Sequence, residues 1–272
     1  MKDKRSKLQI KLAAVKRLAM WHFLNKRLQL VLLSEFPKSG GSWFGQMLSD
    51  AIGIPFPRNK SPKFECCVLH AHFVYHSNFN KVICVMRDGR DIMVSAYYHF
   101  LFEHNRNPSF SVQQWRNKLP FKDYDDIRTN LPSFIEYMFT KYTVNGSVVT
   151  WSDFVNDYFD NPNTVIVKYE DLLVDAAGEL DKTIFFLGRE KVDRTRLNEI
   201  IENYSFKKLS KRAPGEENKK SFLRKGVAGD WKNNFSKESC LMFEKYAGKE
   251  LLAAGYESDS SWIKRYLAIE SN

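Results

Sequence analysis

Three short apolar runs, each bounded by polar or turn residues, stand out along the chain: Gln29–Ser34 (QLVLLS), Lys81–Met86 (KVICVM) and Thr164–Lys168 (TVIVK). Their length and their content of Val, Leu and Ile suit buried strands. Between and after them, apolar positions recur at helical spacing. They predict helices over Trp43–Ile52 (closed by Gly53), Asp91–Phe102, Ser152–Phe159, Asp171–Leu187, Arg194–Asn203 and, closing the domain, Ser236–Ala254. Strands separated by helices predict an α/β chain, a single domain whose central parallel sheet is flanked by helices on both faces. Residues 104–132 are polar and carry Pro108, Pro120 and Pro132, which predicts an irregular insertion. Lys207–Lys220 is charged, with Pro214 and Gly215, and reads as a mobile loop. Residues 5–28 predict a further helix on which Leu8, Leu12, Val15 and Ala19 form an apolar stripe, with Lys and Arg on the other faces.

Composition sharpens this picture at the N-terminus. The chain has 272 residues and a net charge of +10, yet nine Lys/Arg against Asp3 alone fall within the first 28. The remainder is nearly balanced, so the basic character belongs to an arm, 1–28, ahead of a domain spanning 29–272. Two readings of the arm are open: an interfacial helix on anionic lipid, or a helix packed on the domain with a solvated basic face. No run approaches the ~20 apolar residues that cross a bilayer. Cys66 and Cys67 are adjacent, Cys84 sits in an apolar run and Cys240 stands alone. That spacing suits neither a disulfide framework nor a zinc site, and it fits a reduced, cytoplasmic setting.

Chemistry concentrates at three turns. Pro37-Lys38-Ser39-Gly40-Gly41-Ser42-Trp43 lies between a predicted strand and a predicted helix. Glycines there let backbone N–H groups face an anion, and the helix N-terminus and Lys38 add positive charge. The lysine precedes the glycines, so the Walker order with its magnesium-binding hydroxyl is absent. Arg87-Asp88-Gly89-Arg90-Asp91 follows the second strand, where ligands of open parallel sheets collect. Arg87 suits a bidentate phosphate contact, Ser95 lies within reach of the same group, and Asp91 reads as a first-turn carboxylate. Arg224-Lys225-Gly226 adds two cations and a glycine near the C-terminus.

PKSGGSW, RDGRDIMVSAYYHF, VIVKYEDLL and FLRKGVAGDWK occur in that order over roughly residues 30–256. This resembles the sulfotransferases that use 3′-phosphoadenosine 5′-phosphosulfate (PAPS), in their cytosolic-type branch with its P-loop-like fold. The resemblance implies sulfuryl transfer from PAPS to a hydroxyl acceptor, leaving 3′,5′-ADP, with no metal. It places Lys38 and the backbone of Ser39, Gly40, Gly41, Ser42 and Trp43 on the 5′-phosphosulfate end. It places Arg87, Ser95, Arg224, Lys225 and Gly226 on the 3′-phosphate. Trp43 and Phe206 would flank the adenine and Tyr169 its edge. The family's Lys-Ser/Thr-His pattern maps onto His70, Ala71 and His72, making His72 the general base and putting His70 where a sulfonate-binding lysine is usual. Lys38 would neutralise charge on the bridging oxygen. His99 reads as a structural helix residue.

The acceptor is expected to be a glycan, glycolipid or small-molecule alcohol, gripped by aromatics among Phe102, Phe110, Trp115, Tyr124 and Trp151. A peripheral contact with anionic membrane through the arm is a further expectation; nucleic acid is not an expected partner. Lys232–Leu241 lacks the Thr-Val and Glu of a family dimer motif, which argues against that mode of dimerisation. The main competing reading is a P-loop-like nucleotide kinase, disfavoured by the glycine–lysine order. A non-enzymatic module that binds anionic surfaces through the arm is the other, and it leaves the three internal turns unexplained.

Overall fold

The structure is a computed structural model describing residues 7–58, 60–77, 79, 81–144 and 146–270. The first two residues of the expected N-terminal helix, and Lys2, Lys4 and Arg5 of the basic arm, lie outside the described residues. In chain order the elements are α1 (Lys7–Ala19), β1 (Val31–Glu35), α2 (Gly41–Ile52), β2 (Val68–Ala71), β3 (Val82–Met86), α3 (Gly89–Leu101), α4 (Ser109–Lys118), α5 (Ile127–Thr140), β4 (Thr143–Val144), β5 (Ser147–Val148), α6 (Trp151–Tyr158), β6 (Thr164–Lys168), α7 (Tyr169–Phe186), α8 (Arg194–Asn203), α9 (Phe206–Ser210), α10 (Lys237–Ala253) and α11 (Trp262–Glu270). The described residues form two compact units: a sheet unit of 7–87 with Asp160–Ala213, and a helical unit of Asp88–Phe159 with 214–270.

In the sheet unit four parallel strands pair in the order β2-β1-β3-β6. The three runs read from sequence are β1, β3 and β6. The edge strand β2 was not anticipated, because Cys67-Val68-Leu69 is too short an apolar run to separate from a loop. Side chains alternate across the sheet. Val31, Leu33, Val68, Ile83, Val85, Val165 and Val167 share one core with Phe44, Met47 and Leu48 of α2, Leu172, Leu180 and Ile184 of α7, and Leu197 and Ile200 of α8. Gly53 ends α2 in the left-handed conformation, as its position in the sequence implied. Past α1, Met20 and Trp21 are fully buried, and the Trp21 ring meets Phe73 and Phe79 edge-on. Leu8, Leu12 and Val15 of the apolar stripe, by contrast, are exposed.

In the helical unit α5 packs against α3 and α10, and α6 against α10. The expected irregular insertion at 104–132 contains α4 and the start of α5. Its prolines do not interrupt it: Pro108 is the N-cap of α4, Pro120 falls beyond its end, and Pro132 is carried inside α5. Burial of Ile127, Leu131, Phe134, Ile135 and Met138 on one face of α5 outweighs the hydrogen bond that Pro132 removes. Lys207–Lys220 is likewise not loop throughout, since α9 continues to Ser210 behind the N-cap Ser205. Trp151, expected in an acceptor loop, is instead a core residue of this unit: a Cβ on Gly89 would lie 2.7 Å from its ring. The chain also continues past Ala254 into α11, whose Trp262 is buried.

Candidate active site

The carboxyl ends of β1, β2, β3 and β6 carry Glu35, His72, Arg87 and Tyr169 at or just beyond the last paired residue. Chain geometry alone explains this grouping, because all four strands run the same way and their turns emerge on one edge. The turn after β1 is the Gly-rich loop. Lys38 takes φ 82° and Gly40 φ 103°, the left-handed region in which glycine is favoured. Gly40 is also fixed by space: a Cβ there would sit 2.9 Å from Cδ2 of Tyr169. The Tyr169 ring meets Trp43 edge-on at 5.9 Å and receives the Arg87 guanidinium over its face at 4.3 Å. The indole Nε1 of Trp43 donates to the Tyr204 carbonyl at 2.8 Å. Gly40, Trp43, Arg87 and Tyr169, four of the residues read from sequence, are thus one cluster. Phe206 opens α9, with the Arg212 guanidinium 5.3 Å from its ring centre.

Not every loop N–H faces outward in this structure. Ser39 N–H and its hydroxyl both donate to the Phe36 carbonyl, and Trp43 N–H donates to the Gly40 carbonyl. Gly41 N–H donates to Oε2 of Glu35 at 2.6 Å. The sequence reading, which aimed the whole backbone of Ser39–Trp43 at an anion, missed these internal acceptors.

The histidines sit on the same sheet face as Glu35. Leu33 is in register with His70 in the parallel β1–β2 pair, and residues two apart share a face. His70 Nε2 lies 2.8 Å from Oε1 of Glu35, and both side chains are buried. His72 Nδ1 lies 2.9 Å from the Glu35 carbonyl oxygen. A carbonyl only accepts, so His72 Nδ1 carries the hydrogen and Nε2 keeps its lone pair. Burial first, and then the neighbouring His70, hold His72 below the ordinary histidine value, against an opposing pull from Glu35. Burial alone would raise the Glu35 carboxyl; the His70 hydrogen bond, both histidine charges and Gly41 N–H instead hold it below the usual carboxylate range. Glu35, His70 and His72 offer three ligand-type atoms within 4.8 Å of one another. Hydrogen bonds already occupy both Glu35 oxygens and one nitrogen of each ring. Glu35 escaped the sequence reading, although a carboxylate closing an apolar run just before a Gly-rich turn is a visible anomaly.

In the helical unit Ser95 is half-buried on α3. Asp88 caps that helix by accepting from Arg90 N–H. Asp91, the expected first-turn carboxylate, accepts the N–H groups of Gly229 and Trp231 at 2.7 and 2.8 Å. Arg224 and Lys225 both reach Asp230 at 2.5 Å. Burial would raise Asp230, but these two cations and Asn233 bring it down to about 2. Gly226 takes φ 69°. His99, on α3, pairs with His104 at 2.9 Å.

A family model described as the sulfotransferase domain matches residues 56–255. The chain belongs to the sulfotransferase domain family. Sulfotransferase 1C2 of Homo sapiens is 30% identical over 201 residues, covering 68% of this chain and 59% of that protein. Sulfotransferase 1E1 of Cavia porcellus is 28% identical over 184 residues, covering 63% and 54%. The chain therefore spans little more than half the length of these two relatives. A mouse sulfotransferase solved in complex with PAP superposes with TM-score 0.64 at 18% identity, covering 94% of this chain and 95% of that one. Retinol dehydratase solved with androsterone and PAP gives TM-score 0.55 at 18% identity, covering 82% and 81%. These two likenesses establish a sulfotransferase fold. The family match crosses both compact units and begins after the Lys38 loop, so that loop's assignment stands on its own geometry.

Proposed function

We propose that the chain is a PAPS-dependent sulfotransferase that moves a sulfuryl group to a hydroxyl of a glycan, glycolipid or small-molecule alcohol. The observation that carries this reading is the cluster of Gly40, Trp43, Arg87 and Tyr169 at the carboxyl edge of the sheet. It sets a cation and two aromatic faces around an anion-type loop, which suits a phosphorylated purine nucleotide. The left-handed Gly40 and the neighbouring Lys38 fit the 5′ end of such a ligand. Arg87, Ser95, Arg224, Lys225 and Gly226 take the 3′-phosphate in this reading, and Trp43, Tyr169 and Phe206 the adenine.

Bound PAPS supplies a sulfuryl group activated by its phosphate leaving group. His72 Nε2, with its lone pair kept by the Nδ1 bond to the Glu35 carbonyl, takes the proton of the acceptor hydroxyl as that oxygen attacks in line. Lys38 balances negative charge developing on the departing oxygen. The depressed His72 keeps the base neutral at ordinary pH, the form that can accept a proton.

The test is thermal. The product 3′,5′-ADP should raise the melting temperature well above the shift given by 5′-AMP. At a hundredfold excess over Kd a single site adds about 2.7 kcal/mol. Equal shifts with both nucleotides would remove the 3′-phosphate site.

A membrane contact belongs to the same proposal. Leu8, Leu12, Val15 and Leu18 are 43–66% exposed on α1, and Phe23 is 81% exposed. A second copy seated on this stripe would bring two strongly basic arms together. An anionic lipid surface matches both the stripe and the charge.

A further inference from the structure

The clearest unabsorbed feature is the buried carboxylate at the end of β1. Glu35 is 4% exposed. It belongs to neither the anion-binding loop nor the histidine pair, yet it bonds to both. Oε2 accepts Gly41 N–H at 2.6 Å, at the first residue of α2. Oε1 meets His70 Nε2 at 2.8 Å on the adjacent strand. Its main-chain carbonyl meets His72 Nδ1 at 2.9 Å. Helix α2 has no side-chain cap from its own N-cap residue, Gly40, so the Glu35 carboxylate supplies the negative group that this helix start favours. Gly41 is matched to it in space: a Cβ would lie 2.8 Å from the Glu35 Cδ. Arg17 of α1 donates to the His70 carbonyl at 3.1 Å and to the Arg58 and Lys60 carbonyls, which steadies the same strand end.

We propose that Glu35 is a positioning residue for sulfuryl transfer, its one carboxylate tying the start of the helix behind the anion-binding loop to His70, so that the His70–His72 strand end is held at a fixed distance from Lys38. The assignment rests on the sulfotransferase reading with His72 as base. Hydrogen-bond accounting fixes its details. A carboxylate that accepts from Gly41 N–H on one oxygen takes the His70 Nε2 hydrogen on the other. His70 therefore serves as the hydrogen-bond donor to Glu35, and the more exposed His72 is left to exchange the proton. Oε2 of Glu35 lies against the N–H of Gly41, next to where an anionic ligand would lodge. Without the His70 donor, Oε1 would lose its hydrogen bond.

A double-mutant cycle separates positioning from mere packing. Glu35→Gln keeps shape and volume, and His70→Gln removes the ring donor. The expected result is a tenfold or larger fall in kcat for Glu35→Gln, a melting temperature within a few degrees of the parent, and less than a threefold further fall when His70→Gln is added. Multiplying losses, or a folded Glu35→Gln enzyme with kcat within twofold of the parent, would overturn the proposal. Should Glu35→Gln fail to fold, long-range ¹H–¹⁵N spectra of the parent decide. The proposal requires a hydrogen on His70 Nε2 and, in neutral His72, on Nδ1 alone; His70 protonated only at Nδ1 would refute it. Activity lost on chelation and restored by zinc would also overturn it, by making the three groups a metal centre. His72→Ala tests the base reading separately: an active His72→Ala enzyme removes that reading, while the cycle still reports whether Glu35 and His70 act together.

Discussion

Replacing Gly40 by alanine probes the loop and the aromatic cluster together. Two costs follow from the structure. At φ 103° an L side chain is strained, about 1–2 kcal/mol for a left-handed residue. The new Cβ also falls 2.9 Å from Cδ2 of Tyr169. Arg87 lies over the face of that ring and Trp43 against it, so it cannot swing away without disturbing both. Overpacking of this kind costs about 1–3 kcal/mol. The sum, about 2–5 kcal/mol, corresponds to a fall in melting temperature of roughly 4–9 °C for a chain of this size. Thermal unfolding of four proteins completes the assay: parent, Gly40→Ala, Tyr169→Ala and the double variant. With the ring gone only the backbone cost remains, so Gly40→Ala should cost about 1–2 kcal/mol in the Tyr169→Ala background and clearly more in the parent. Equal costs in both backgrounds would show that Tyr169 does not pack on the loop. A neutral Gly40→Ala would show that the loop does not hold the left-handed turn at all.

The pH dependence of transfer has a definite sign. Because burial and His70 lower His72, the acid limb of kcat/KM should fall below the ordinary histidine value of about 6.5, and His72→Ala should abolish that limb with a loss of roughly 10²–10⁴ in kcat; a limb at or above 6.5 would contradict the depressed base. The same shift makes the folded state bind this proton less readily than the unfolded chain. Its contribution to stability is therefore unchanged above the ordinary value and is lost as pH falls from there through the folded-state value. For the arm, sedimentation with phosphatidylglycerol vesicles at low salt should capture the protein and phosphatidylcholine vesicles should not, with about 1 kcal/mol per surface cation. Leu12→Gln/Val15→Gln should release it without unfolding, since both positions are exposed. Deleting the whole arm is a poor test, because it also removes the buried Met20 and Trp21; failure of the full chain to bind either vesicle would end the membrane reading.

The parallel sheet was legible because β1, β3 and β6 are apolar runs closed by turn residues, and α8 because Asp193 and Asn203 bracket a clean periodic segment. β2 was not legible, since four residues at a sheet edge leave too little pattern. α5 was hidden by Pro132, a strong local signal overruled by six buried apolar side chains that only tertiary packing reveals. At the carboxyl edge of the sheet, residue type and position near a turn pointed to Lys38 and Arg87, and the family resemblance pointed to Tyr169. What they could not show was direction. Nothing in the letters says that the Ser39 hydroxyl turns back to Phe36, or that Gly41 N–H goes to a carboxylate six residues earlier.

In the stretch Arg87–Asp91, two of the charged side chains are spent on structure. Arg90 is 2% exposed. Its guanidinium bonds Asp88 and Glu257 and lies 3.9 Å from the Trp231 ring centre and 4.8 Å from that of Trp262. Asp91 spends both oxygens on the backbone of Gly229 and Trp231. These two residues join the start of α3 to the segment that follows Arg224-Lys225-Gly226, more than a hundred residues later. A buried, fully bonded charge is costly to strip of its partner, typically about 3–5 kcal/mol, so Arg90, Asp91 and Trp231 constrain one another as a set. That is the physical reason RDGRD and GVAGDW go together in one chain. Arg224 and Lys225 share Asp230, within the same clamp. In the proposed reading a phosphate would have to draw Arg224 and Lys225 from a carboxylate that they hold down to about 2, so Asp230 would weaken that grip without touching the ligand.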